Sequence, residues 1–369
     1  MGVQYRVDLC DAAGGKIDEI TDMRRIAVAN QVTLPGRVEV ELPASHRAIP
    51  NLTDKGRIEI WRRWPEMGIE WYRVHAGLFR DQVWETLADE LRVFTAIAPG
   101  PLAILGWSVN AYPSDTANKT TWSSVRAETI MKQMVAANCT AAATTGNGRD
   151  RNRLSGGTLS GCTLSVQADA GGGNLLSYES SRGQVLAELQ AIWDRGAGGD
   201  FDLVWLGGAA YEFRFYAGQR GSDRTANVTF SETFGTMGRP KLTIARANER
   251  TVAIAAGQGQ KSRRAIRTRT GVNYSATNDI EMLVDGRQAS TNAALDAAGD
   301  AALTKARTRA RLEFTPLQTP ARLLDRDYFL GDRVASSYAG QIFSHQVWAT
   351  AYTFTPRDGE QIAITLRDY

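Results

Sequence analysis

The amino-acid sequence predicts an α+β chain that is mainly β, with strand-rich ends around a more helical middle. Three observations carry that prediction. Apolar and polar residues alternate with period two near both termini, three stretches between them repeat at helical spacing, and a Pro- and Gly-rich break near residue 98 separates the patterns.

Val3, Tyr5, Val7 and Leu9 alternate with Gln4, Arg6 and Asp8, and Val38, Val40 and Leu42 alternate with Arg37, Glu39 and Glu41. Successive side chains of a strand point to opposite faces, so both runs read as half-buried strands. Ile58 and Ile60 continue the pattern, Trp64-Pro65-Glu66-Met67-Gly68 interrupts it as a turn, and Tyr72, Val74 and Ala76 resume it on a returning strand. Several short antiparallel strands in the first hundred residues suggest a small barrel or sandwich.

Ala98-Pro99-Gly100-Pro101 marks a domain boundary. A helix is predicted over 121–139, capped by Ser123 or Ser124, with Val125, Ile130, Met134 and Ala137 recurring at helical spacing. Residues 141–174, rich in Ala, Thr, Gly and Ser and including Gly156-Gly157 and Gly171-Gly172-Gly173, read as loops around short strands. A second helix is expected over 184–194, where Val185, Leu186, Leu189, Ile192 and Trp193 form an apolar face that Gly196 and Gly198 terminate. Strands return at 201–206 and 211–216, the latter alternating Tyr211, Phe213 and Phe215 with Glu212 and Arg214. A third helix is predicted over 292–312, with Leu295, Ala298, Ala302, Leu303, Ala306 and Ala310 on one stripe. Arg307, Arg309 and Arg311 fall late in it, where positive charge suits the helix dipole. Strands close the chain at 347–354 and at Ile362, Ile364 and Leu366.

At 369 residues the chain exceeds the usual single-core size, so two to four domains are expected. A 43% hydrophobic and 22% charged composition with nine Trp excludes wholesale disorder. With 43 basic and 40 acidic residues the formal charge is only +3, which implies no bulk affinity for nucleic acid. The basic residues are 36 Arg and 7 Lys, a bias that fits a GC-rich genome better than a binding task. The N-terminus lacks the layout of a signal peptide and no stretch approaches the ~18 to 20 apolar residues of a membrane span, so synthesis in the cytoplasm without stable membrane insertion is expected. Cys10, Cys139 and Cys162 are odd in number and far apart, and read as small buried hydrophobes.

His46, His75 and His345 sit in no ligand-spaced motif, and neither a GxSxG elbow nor a GxxxxGK[ST] loop occurs. Carboxylate pairs such as Asp325 and Asp327 arise by chance in any chain with 40 acidic residues. No catalytic, cofactor-binding or metal-ligating residue is assigned, and no cofactor is expected. The densest charge is the run from Lys261 and Ser262 through Arg263, Arg264, Arg267 and Arg269, after Gly257-Gln258-Gly259-Gln260. With no aromatic residues interleaved for base stacking, it reads as a solvated strand or loop pairing with acidic groups of a neighbouring subunit.

Four segments taken together resemble the baseplate hub, or tail-associated, proteins of siphophages. They are Val125-Arg126-Ala127-Glu128-Thr129-Ile130-Met131-Lys132; Gly221-Ser222-Asp223-Arg224-Thr225 followed by Val228-Thr229-Phe230-Ser231; Thr251 to Gln260; and Asp327-Tyr328-Phe329-Leu330-Gly331-Asp332-Arg333-Val334, with Ile362 to Leu366 as the closing strand. Read physically, Leu330-Gly331-Asp332 is a tight turn in which Gly331 takes positive φ and Asp332 bonds nearby backbone, and Asp223-Arg224 is a local salt bridge or backbone cap.

The resemblance implies two small antiparallel β-barrel tube domains with two inserted α/β domains. The segments would be 1–98 for the first barrel, 99–203 for an outer α/β domain, 204–245 with 313–369 for the second barrel, and 246–312 for the other insertion. Val38, Val40, Ile362 and Ile364 would fill barrel interiors. It implies a structural, non-enzymatic hub at the distal end of the tail in the virion. Three copies would form a pseudo-six-fold ring that closes the tail tube, meets the distal tail ring and tape measure proteins and the central fibre or spike, and lets phage DNA pass through its lumen without specific binding. A chain ending at Tyr369 leaves no room for a C-terminal hydrolase or long fibre. The competing readings are a receptor-binding tail protein, seated on loops around Gly171, and a cell-wall-degrading one. The first predicts binding of isolated protein to host cells, the second wall turnover abolished by one carboxylate change, and the hub neither.

Overall fold

The computed structural model describes residues 2–54, 56–88, 91–111, 120–145, 163–180, 182–259, 263–287, 291–307, 309–319 and 322–368. Gly156, Gly157 and Cys162, and Gln260, Lys261 and Ser262 before the arginines, lie outside them. The chain forms two compact units, residues 1–238 with 315–369, and residues 239–314.

In the larger unit the strands of the first hundred residues divide between two sheets. Lys16–Ile20, Gln4–Cys10, Arg57–Trp64 and Ile69–Leu78 form, in that order, a four-stranded antiparallel sheet. Arg25–Gln31, Leu34–Pro43, Arg92–Pro99 and Asp81–Thr86 instead join strands from the other end of the chain. Arg25–Gln31 pairs with Gln341–Thr355, which in turn pairs with Gly359–Asp368. The order Gly359–Asp368, Gln341–Thr355, Arg25–Gln31, Leu34–Pro43, Arg92–Pro99, Asp81–Thr86 is therefore antiparallel at every step. A branch adds Arg333–Tyr338 to Gln341–Thr355, with Thr229–Ser231 parallel beyond it.

The two closed barrels implied by the resemblance do not form among the described residues, where Asp81–Thr86 and Gly359–Asp368 each have a single partner strand. Closure needs the last strand to meet the first in register, whereas alternation in sequence specifies only which face is buried. Val38 and Val40 fill a core as expected, but Ile362 and Ile364 remain half-exposed and fill no barrel interior.

The termini share a buried ionic cluster. Arg62, 1% exposed, donates from Nε and Nη2 to the two Glu360 carboxylate oxygens at 2.7 Å each, and from Nη1 to the Tyr72 hydroxyl at 2.5 Å. Tyr5 Oη donates to Glu360 at 2.5 Å and its ring lies 4.8 Å from that of Phe354. Burial disfavours the charge on Arg62, but Glu360 overrides it and raises the pKa above the ordinary arginine value.

His75, in Ile69–Leu78, packs against Gly36 of the other sheet, where an added Cβ would lie 2.7 Å from the imidazole Cε1. Its pKa is lowered to about 4 by burial and then by the charge of Arg73. Because the folded value lies below the unfolded 6.5, His75 stabilises the neutral-pH fold fully above about pH 6.5, and this is lost as pH falls toward 4, by up to about 3 kcal/mol. His75→Leu is expected to lose less stability than wild type between pH 7 and 4.5 in denaturant melts. Equal losses in the two proteins would contradict this.

The helices shift from their predicted bounds. Thr120–Arg126 is a strand paired with Leu175–Ser180, so the first long helix is Ala127–Cys139 and Arg126, not Ser123 or Ser124, occupies its N-cap. The second, Val185–Asp194, lies where expected. Both pack against Gly199–Gly207 and Ala210–Ala217 through Ile130, Met134, Leu189, Ile192, Phe201 and Phe213. In the smaller unit, the helix Asn292–Lys305 stops before Arg309, because Arg309–Pro316 pairs as a strand with Met237–Ala245. That helix covers a three-stranded sheet, Ile266–Thr270, Val252–Ala256 and Glu281–Asp285, whose last pair is parallel. Gly299 allows the close approach, since a Cβ there would sit 2.8 Å from Arg269.

Candidate functional site: a clasp between two glycine turns

Two of the four sequence motifs, far apart in the chain, meet at one carboxylate. Asp332 is 2% exposed and accepts hydrogen bonds from Ser222 N at 2.7 Å, from Phe329 N at 2.9 Å and from Arg224 Nε at 2.5 Å. The backbones pair beside it, with Arg224 N donating to Arg333 O at 2.8 Å and Arg333 N to Ser222 O at 3.0 Å. Both glycines have positive φ, +87° at Gly221 and +93° at Gly331. A Cβ on Gly221 would lie 2.6 Å from Asp332 N, and one on Gly331 2.6 Å from Arg220 O. Only glycine supplies that conformation and that clearance together. The predicted turn and its backbone-bonding aspartate are thus present. Of the two readings of Asp223-Arg224, the local salt bridge does not form, because Arg224 reaches Asp332 and Asp223 lies 3.3 Å from Arg333, whereas the backbone cap does, Asp223 Oδ1 accepting from Thr225 N at 3.0 Å.

A second buried carboxylate extends the clasp, one that sequence reasoning missed. Asp200, at the start of Gly199–Gly207, accepts from Arg220 N at 2.7 Å, Gln346 Nε2 at 2.9 Å and Trp193 Nε1 at 3.1 Å. Trp193 stacks on Trp348 with ring centroids 5.6 Å apart, and the Arg367 guanidinium lies 4.8 Å from the Trp348 ring centre. Helix Val185–Asp194 is thereby tied to the long sheet. A lone Asp and a lone Gln carry no signal in sequence, so only the fold identifies them. Donors surround both carboxylates, an arrangement that holds chain segments together.

A comparison with protein-family profiles matches residues 94–366, well over half the chain and including both halves of the clasp, to the siphovirus ReqiPepy6 Gp37-like proteins. The chain belongs to that family. Its fold is also similar to solved tail proteins. The tail protein of Neisseria meningitidis MC58 aligns with TM-score 0.53 at 12% identity, covering 99% of this chain and 97% of that one. The 43 kDa tail protein of prophage MuSo2 from Shewanella oneidensis aligns with TM-score 0.57 at 11% identity, covering 99% and 98%. A chain of the lidless PdpA–VgrG complex aligns with TM-score 0.57 at 10% identity, covering all of this chain and 65% of that one. No curated protein matches the sequence.

The remaining motifs of this Gp37-like protein also act as fasteners. In Ala127–Cys139, Glu128 is buried and pairs with Lys132 at 2.5 Å, while accepting from Gly172 N and from Ala170 N. Burial alone would raise its pKa, but Lys132 and those N–H donors hold it below the ordinary glutamate value. The loop around Gly171 is exposed, yet pinned through this carboxylate. Of the arginine run, Arg267 and Arg269 make bidentate pairs of 2.8–3.0 Å with Asp296 and Asp300 of the chain's own helix, where a neighbouring subunit's acids were expected. Side chains two apart on a strand and four apart on a helix share a face, which is why the pairs match. Asp325 and Asp327 serve separately, Asp325 bonding Tyr352 Oη and Asp327 accepting from Leu323 N at 2.7 Å. His345 bonds Ser336 at 2.7 Å and His46 pairs with Asp22 at 3.0 Å.

Proposed function

We propose that this Gp37-like protein is a non-enzymatic structural hub of the tail tip. In this reading three copies form a pseudo-six-fold ring that closes the tail tube and connects it to the central fibre or spike for DNA delivery. One observation carries it. The six-stranded antiparallel run ends in two strands, Asp81–Thr86 and Gly359–Asp368, each with a free edge among the described residues. Five antiparallel steps make those edge strands run in opposite directions, so a rotation that brings one copy's Asp81–Thr86 beside the next copy's Gly359–Asp368 continues the antiparallel ladder. Long unpaired edges are otherwise templates for aggregation, and a closed cyclic assembly removes them. Trp84 and Val83, exposed on one edge, and Ile362 and Ile364, half-exposed on the other, would be covered at the same seam.

The distal tail ring protein and the tape measure protein are the expected neighbours, and the virion tail's distal end the location. Segment 99–203 would lie outside the tube. Native mass measurement of purified tail tips should find three copies per ring. Six copies, or a chain that stays monomeric at all concentrations, contradicts the proposal.

A further inference from the structure

We infer that Glu39 is the residue that keeps the open face of the long sheet from holding DNA, by pairing at once with two arginines that stand on it, Arg25 and Arg37. This inference rests on the ring reading, in which that face lines the channel. The sheet buries Ile26, Val28, Val38, Val40, Phe94 and Ala96 on one side, so strand alternation turns Arg25, Ala27, Ala29, Arg37, Glu39 and Glu41 to the other.

That second face is built mostly of short side chains. Ala27 and Ala29 pair with Thr353 and Ala351, which pair with Gln361 and Ala363. Arg25 and Arg37 flank this smooth strip from Arg25–Gln31 and Leu34–Pro43, and both reach the same carboxylate. Arg37 Nη2 lies 2.7 Å from Glu39 Oε1 and Arg25 Nη1 lies 3.5 Å from Glu39 Oε2. Glu41 lies 3.0 Å from Arg24. Asp81 and Glu85, on the edge strand, add further negative charge to the face.

A polyanion moving past alanines and threonines meets few hydrogen-bond donors, so guanidiniums are the groups able to arrest it, Arg25 and Arg37 beside the strip and Arg367 at its end over the Trp348 ring. Each phosphate contact releases counterions and makes binding salt-dependent. With Glu39 between them, each arginine holds one Nη beside a carboxylate, whose negative charge opposes a phosphate approaching either. Removing its charge leaves both cations without that carboxylate at once.

The test is binding of a labelled 20-base-pair duplex to the purified chain, read by fluorescence anisotropy from roughly 50 to 200 mM salt. Glu39→Gln is compared with wild type and with Glu70→Gln, the same charge change at an exposed glutamate of the other sheet. Glu39→Gln should bind at least about ten-fold tighter than either, with a log–log salt slope steeper by about 2, one unit for each freed arginine. Adding Arg25→Gln and Arg37→Gln should abolish the gain. Equal affinity in Glu39→Gln and Glu70→Gln, or wild type already binding as tightly, overturns the inference. Native mass on the same samples separates the two claims. A monomer that shows the Glu39 effect sinks the ring and leaves the neutralisation standing, whereas a trimer without the effect does the reverse.

Discussion

Gly331→Val is expected to lower the melting temperature by roughly 5 to 10 °C and to abolish incorporation into tails. Three costs act together. A β-branched residue at φ +93° is strained by about 1 to 3 kcal/mol, and its Cβ would lie 2.6 Å from the carbonyl oxygen of Arg220, which is backbone and cannot rotate away. The displacement would also pull Asp332 from Ser222, Arg224 and Phe329, leaving a 2% exposed carboxylate with fewer donors. A total loss of about 3 kcal/mol or more follows. Gly235→Val is the control, since Gly235 also has positive φ but nothing lies within 4 Å of its added Cβ. Comparable losses in the two variants would mean that strain alone matters and that the clasp does not.

Arg62→Met is expected to cost about 3 to 5 kcal/mol, because it strands the buried Glu360 carboxylate without its counter-charge. The double variant with Glu360→Leu should recover much of that loss, since two apolar groups of similar volume avoid the desolvation penalty of the pair. Denaturant melts of the single and double variants decide the point. If the double variant is as unstable as the sum of its singles, the pair is not coupled. The cluster also bears on Asp325, whose carboxyl burial pushes up to about 6 despite the hydrogen bond from Tyr352 and the charge of Arg62.

The clasp illustrates how far sequence reading reaches. Gly331 and Asp332 were legible as a turn, because a glycine followed by an aspartate has few other uses between strand-like runs. Gly221 and Arg224 were legible as a loop motif. That the two loops share one carboxylate was not, since no residue in either specifies a partner 108 positions away. The arginine run behaves alike. Its charge required an acidic partner, and only the packing of helix Asn292–Lys305 on the sheet selected Asp296 and Asp300 of the same chain.

What the sequence determined by itself is local and periodic. The alternation of Val38 and Val40 with Glu39 and Glu41 decides which side of a strand meets the core, and the spacing of Val185, Leu189 and Ile192 decides a helix, because backbone geometry sets both periods. Tertiary structure decided where each edge pairs. It turned 121–126 and 309–312 into strands against their helical pattern, because a ladder of backbone hydrogen bonds outweighs a few tenths of a kcal/mol of propensity per residue. It also sent Arg25–Gln31 to a partner at the far end of the chain and left the sheet open, since hydrogen-bonding groups along a strand edge are the same in every sequence and only the assembled fold determines which edges meet.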